Sequence, residues 1–361
     1  MSSASSVGDQ VINSVAAMFD AEETLKPIPS GLEWGLPGGK QKLWYENSRE
    51  GSDGQPDLVR MRILTEVAAL TGKPDEWPED VLGLIFPISE CAIWGSILTP
   101  DNKTEPLSIG AAVTAHEGNV GYLPGVLFRA MAAQAALREI MHKSDLKQFI
   151  AEHATGGGVD DMAELAESFT LLLAQSSEGI PDGVADDLGF LTQQFQSFPC
   201  LMCSGDEKGL SAEFPYGEAT SLLRIETEVE HPLFSSGAIC LTLILPFEAV
   251  ETQTMMENIM EMNRREQSDL DISWSLGSWM ISRQGGLRLA YRIWMPNSMF
   301  QKNMLINLGL GMVARAHRCC KNMANMTFEE AYPVAQERMN QRMEMILKML
   351  KSGKSPFPER G

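Results

Sequence analysis

Basic residues are scarce: 29 Lys and Arg stand against 48 Asp and Glu, a formal net charge of −19. So acidic a surface repels phosphate backbones, which excludes nucleic acid as a general partner. Long apolar runs are missing. No stretch approaches the ~18 residues a membrane span needs, and Met1–Gly8 has neither a basic residue nor an apolar core, so neither membrane nor secretory signal is expected. Six cysteines in 361 residues are too few for a disulfide scaffold. A reducing, cytoplasmic setting fits, with Cys91 and Cys240 as small hydrophobes in apolar stretches. None of the five histidines (His116, His142, His153, His231 and His317) forms H-x-x-x-H or H-E-x-x-H, and neither G-x-S-x-G nor G-x-G-x-x-G occurs. These gaps remove the short signatures of zinc proteases, α/β-hydrolases and dinucleotide enzymes. No enzymatic activity and no cofactor are expected.

What is present is a folded chain. Hydrophobic residues are 44% and charged residues 21% of the sequence, values of a globular protein, and the length calls for two domains. The charge is uneven. Residues 1–180 hold 12 basic and 26 acidic side chains, whereas residues 302–361 hold 10 and 5.

One unit is written twice. Leu58-Val-Arg-Met-Arg-Ile-Leu-Thr-Glu-Val67 resembles Leu222-Leu-Arg-Ile-Glu-Thr-Glu-Val229. Val81-Leu-Gly-Leu-Ile-Phe-Pro87 resembles Cys240-Leu-Thr-Leu-Ile-Leu-Pro246, and Ser108-Ile-Gly-Ala-Ala-Val113 resembles Ser275-Leu-Gly-Ser-Trp-Met280. The displacement between copies runs from 159 to 172 residues. Periodicity predicts helices near 8–24, 89–98 and 125–143, with strands near 42–48, 57–68, 80–88, 107–115 and 119–124. The second copy predicts helices near 184–198, 248–265 and 297–321, and strands near 209–216, 220–230 and 238–246 before a hairpin at Gln284-Gly285-Gly286. Each copy reads α-β-β-β-α-β-β-α, an α+β two-layer domain with an antiparallel sheet.

The expected domains are 1–145 and 184–322, joined by a linker over 146–183 and followed by a C-terminal amphipathic helix and tail over 323–361. In the linker, Asp160 to Gln175 is acidic, with Met162, Leu165, Phe169 and Leu172 at helical spacing. In the C-terminal helix, Met339, Met343, Ile346 and Leu350 form a two-heptad stripe. That stripe either docks on its own domain or meets a partner or a second copy.

This order of elements resembles the type III secretion chaperone-like fold, which includes CesT-type effector chaperones and YbjN-like proteins. The resemblance covers about two-thirds of the chain, in two copies. It implies a small acidic α+β protein that holds a protein or peptide partner, and a tandem copy would form within one chain the pair that homodimers form between two. As the alternative it implies a YbjN-like regulatory or stress-linked role.

A few local motifs carry residue types that can do chemistry. Cys200-Leu-Met-Cys203 has the spacing of a zinc or redox pair, but it ends a helix pattern after Pro199 rather than opening one. Gly35-Leu-Pro-Gly-Gly-Lys40 lacks the Walker glycine and Ser/Thr and reads as a turn. Glu226, Glu228 and Glu230 share one strand face with Arg224, a cation or acid–base candidate, or a solvated face bridged to Arg288 and Arg292. Methionine is frequent at 22 residues, with a cluster at Met255, Met256, Met260 and Met262 that suits adaptable apolar surfaces. The expected partner-binding residues are Trp94, Trp274, Trp279 and Trp294 with Met339, Met343, Ile346 and Leu350, because aromatic anchors dominate interfaces.

Overall fold

The computed structural model describes residues 4–19, 25–36, 39–49, 57–68, 89–98, 106–143, 179–232, 237–248, 252–282 and 288–351. The first half holds α1 (Ala4–Ala16), β1 (Leu25–Ile28), β2 (Gly31–Leu36), β3 (Gly39–Arg49), β4 (Leu58–Ala68), β5 (Ser96–Leu98), β6 (Leu107–Ala115) and α2 (Leu123–Lys143). The second holds α3 (Val184–Ser197), β7 (Met202–Asp206), β8 (Gly209–Tyr216), β9 (Ala219–Glu230), β10 (Gly237–Glu248) and α4 (Thr252–Ser268). It continues with β11 (Trp274–Ser275), β12 (Ser278–Ser282), β13 (Arg288–Pro296), α5 (Met304–Met323) and α6 (Phe328–Lys351). The architecture is α+β, with one seven-stranded and one six-stranded sheet, antiparallel throughout.

Apolar periodicity makes these elements. Helix α1 buries Val7, Val11, Ile12 and Val15, and α3 buries Val184, Leu188, Leu191 and Phe195, each a stripe of 3.6-residue period. Strand β9 alternates buried Leu223, Ile225 and Thr227 with exposed Arg224, Glu226 and Glu228. Strands β6 and β13 are buried almost throughout, because protein covers both faces.

The duplication is structural. The order β1-β2-β3-β4-β6 in one sheet is matched by β7-β8-β9-β10-β13 in the other, with β5 on β6 and β12 on β13. Pairs Ser96↔Gly110 and Ile97↔Ile109 recur as Ser278↔Arg292 and Trp279↔Tyr291, each member 182 residues on. Glycines mark the same places. A Cβ at Gly31 would collide with the Leu43 carbonyl oxygen, and one at Gly209 with that of Ile225. Both open a strand pressed against its neighbour's backbone.

This register corrects the sequence alignment of the copies. Residues 58–68 are the fourth strand of their half, and their counterpart is β10, not the third strand β9 that contains 222–229. Likewise β6 matches β13, whereas 275–280 spans β11 and β12. Period-two alternation is common to every half-exposed strand, so adjacent strands of one sheet pass for each other. Each half accordingly has four strands after its first helix instead of three. Over 89–98 the expected helix gives way to a bridge at Ile93 and strand β5. The expected strand at 119–124 is a turn leading into α2. Asn119 fixes it by accepting from His116 N at 2.9 Å and donating to Thr114 O at 2.9 Å. The expected strand at 80–88 and the acidic helix over 160–175 lie outside the described residues.

The halves share one buried core and exchange edges. Strand β11 of the second half completes the first sheet, with Trp274↔Val113 and Ser275↔Ala112. In return Ile93 bridges Trp294, whose indole donates to Glu90 O at 2.7 Å. Arg60 of β4, fully buried, locks the seam. It donates to Gln267 O at 3.0 Å, Glu266 O at 2.6 Å, Ile272 O at 2.5 Å, Ser275 Oγ at 2.7 Å and Thr114 Oγ1 at 3.0 Å. Burial pushes its guanidinium down to about 10, still charged at neutral pH.

Candidate functional site

Helices α4 and α5 flank a groove of about 830 Å³, within the range of natural ligand pockets. Helix α5 turns Leu305, Leu308, Met312, Ala316 and Cys319 toward the core, and α4 contributes buried Ile259, Met260 and Asn263. The accessible rim mixes apolar and polar groups: Phe247 and Met323 are 45% and 43% exposed and Met262 is half-buried, beside Asn258, Asn322 and the Glu261–Arg265 pair. Ile272, Trp279 and Leu289 form the floor.

A buried ion pair underlies that floor. Glu266 Oε2 accepts from Arg315 Nη2 at 2.9 Å, while Oε1 accepts from Arg315 Nε at 3.1 Å and from the Trp279 indole at 2.7 Å. Arg315 also donates to Trp274 O at 2.5 Å and lies over the Tyr291 ring, 4.0 Å from its centre. Burial raises the Tyr291 hydroxyl well above its usual range, and that oxygen accepts from Gly277 N at 2.9 Å. Nearer the mouth, Asp269 pairs with Arg318. Both lining arginines of α5 are thus paired, so the groove is an apolar trough on a satisfied polar base.

The structure does not gather the expected partner-binding residues into one site. Trp94, Trp274, Trp279 and Trp294 are 0–7% exposed, which makes them core and seam residues without a free surface. Trp274 stacks on Tyr122, with centroids 6.3 Å apart, and Trp94 lies in the core with its carbonyl held by Gln134 Nε2 at 3.0 Å. Of the four, Trp279 alone borders the groove. Met339 is half-buried and Met343 is 53% exposed on α6, apart from the groove lining. Ile346 and Leu350 belong to the same helix, with side chains outside the described set. From the methionine cluster, Met262 lines the groove and Met260 is buried, while the side chains of Met255 and Met256 lie outside the described set.

Other motifs resolve into structure. The Cys200 thiol contacts Met202 O and Glu213 O, at 3.1 and 3.3 Å, and burial pushes it up to about 11. Cys203 is also raised by burial, so both thiols stay protonated, the unreactive form. All six cysteines are free. Among the described residues no group of three or more His, Cys, Asp or Glu is placed to hold a metal ion. The glutamate face of β9 is exposed as expected, but not bridged to Arg288 or Arg292. Strand β10 intervenes, and Glu228 pairs with Lys208 of the neighbouring turn at 2.8 Å. Lys40 of the glycine-rich turn pairs with Glu33 across the β2–β3 hairpin at 3.4 Å.

His231 sits at the seam, fully buried, with Nε2 at 3.0 Å from Cys91 O and its ring edge-on to Trp294. Burial lowers its pKa to about 4, against the hydrogen bond to Cys91. The unfolded chain, with a histidine near 6.5, binds the proton first. Stability from this group is therefore complete above about pH 6.5, and about 3 kcal/mol of it is lost as pH falls toward 4. Urea unfolding of wild type and His231→Gln from pH 7 to 4.5 checks this: the variant is expected to lose distinctly less stability. Equal losses would show that His231 is not held neutral.

No family model, curated protein or solved structure matches this chain. Among the described residues no helix is long and apolar enough to cross a membrane.

Proposed function

We propose that this chain is a non-enzymatic binding protein that captures an apolar segment of a protein or peptide partner in the α4–α5 groove. The reading follows the chaperone-like proteins its sequence resembles. The observation that carries it is the contrast between rim and base. Exposed Phe247 and Met323, with Met262, offer adaptable apolar contact. Beneath them Glu266 and Arg315 are consumed by each other and by Trp279. Such a base has no unmet charge to polarise a substrate, and it holds the trough open with a fixed shape. Acidic surface elsewhere, from a net charge of −19, limits nonspecific association. Free thiols at every cysteine accord with a reducing, cytoplasmic setting.

The test uses an environment-sensitive apolar dye, 1-anilinonaphthalene-8-sulfonate, and amphipathic peptides that compete for its site. Full-length protein is expected to bind the dye saturably and release it to such peptides. Met323→Glu, at a position already 43% exposed, is expected to leave the melting temperature unchanged. It should weaken peptide binding about tenfold, because an apolar segment would then desolvate a carboxylate. Unchanged peptide affinity in that variant would remove the groove as the site.

A further inference from the structure

Helix α6 is built in two parts. Its proximal part is anchored. Thr327 and Glu330 form a reciprocal capping box, with Thr327 N donating to Glu330 Oε2 at 2.8 Å and Glu330 N to Thr327 Oγ1 at 3.3 Å. Phe328, Ala331 and Ala335 are buried, Phe328 stacks on Phe214 with centroids 5.8 Å apart, and Arg338 pairs with Glu218 at 2.7 Å. The distal part differs: from Asn340 to Lys351 every side chain that is described is exposed. Met343, Met345 and Leu347 are 53%, 56% and 50% exposed, three of the ten large hydrophobics exposed on the described surface. So dense an apolar display on a fixed stem marks an interaction surface.

We propose that residues 339–351 form a docking helix for an acidic amphipathic helix of another protein. Charge identifies the occupant. Arg342, Lys348 and Lys351 face solvent with Glu344 as the single distal acid. A second copy fits poorly. Antiparallel pairing centred on Met345 sets Arg342 against Lys348, and parallel pairing sets each cation against itself. An anionic lipid surface fits poorly as well, because residues 1–301 carry 19 basic and 43 acidic side chains, a net charge that such a surface repels. A single helix engages only the distal segment, about 18 Å long and so more than a Debye length. These residues are separate from the groove lining, and the surface stands whether or not the groove binds.

The probe is a labelled synthetic heptad peptide with Ile and Leu at the core positions and Glu flanking them, beside a twin with Lys flanking. Both are titrated with the full-length chain by fluorescence anisotropy. The acidic peptide is expected to bind at least about tenfold tighter than its twin, and to weaken about fivefold between roughly 50 and 500 mM salt. The triple variant R342E/K348E/K351E, altered only at exposed positions, is expected to keep its melting temperature and reverse the preference. Equal binding of both peptides, binding of neither, or a preference unmoved by charge reversal would overturn the proposal. Cosedimentation with phosphatidylserine-containing vesicles in place of peptide binding would overturn it in favour of a membrane surface.

Discussion

Replacing Arg60 with Leu is expected to destabilise the protein by about 3–5 kcal/mol, more than any other single seam substitution. The guanidinium ends in five hydrogen bonds, four of them to residues 266–275 of the other half. Its removal takes a donor from the carbonyls of Gln267 and Ile272 around a side chain that is 0% exposed, while Glu266 O keeps Ser275 Oγ at 3.1 Å. Because Arg60 joins β4 to the segment that supplies β11, the loss falls on the exchange between halves. Calorimetry should show one cooperative transition splitting or broadening. Lys at this position should recover less than half of the loss, since one ammonium cannot reproduce a five-donor fork. A cost below about 1 kcal/mol with a single sharp transition would mean that the halves hold together without this clamp.

Arg315→Met should rank second. It strands the Glu266 carboxylate, 7% exposed, with the Trp279 indole as its remaining side-chain donor. The expected cost is about 3–5 kcal/mol at neutral pH, because an unpaired buried charge is worse than no charge. One consequence sets this apart from simple loss of packing. The double variant E266Q/R315M should be more stable than Arg315→Met alone, with a coupling of about 2 kcal/mol. Additive losses would show that the pair contributes packing rather than charge neutralisation. Expelling the ion pair would also open the floor beneath Trp279, so peptide binding in the groove should fall alongside stability.

Much of this was legible in the sequence, and the failures have identifiable causes. The stripes Val11–Phe19 and Val184–Phe198 predict both leading helices, although the first runs over Ala4–Ala16 and not 8–24, and the alternation through Leu223–Glu228 predicts β9 and its exposed face. The duplication was visible too, but its register slipped by one strand. Alternation identifies a strand without identifying which strand, and only cross-strand pairs such as Ser96↔Gly110 and Ser278↔Arg292 settle that. Large aromatics are shared by interfaces and cores, so the sequence does not tell an anchor from a core residue; burial places all four tryptophans inside. Methionine gave a better signal. Met262 of the cluster does border the groove, although its companions Phe247 and Met323 come from β10 and the end of α5. The polar base has no local signature, because Glu266 and Arg315 are 49 residues apart. A clue was available: Arg315 interrupts an otherwise apolar face of α5, and a lone cation there requires a buried partner.

The groove itself is tested most directly by selecting peptides from a random displayed library on immobilised full-length protein, in parallel with Met323→Glu. The account predicts enriched peptides with apolar anchors three or four residues apart, bound about tenfold less well by the variant. Enrichment that is the same on both proteins, or absent from both, would contradict it.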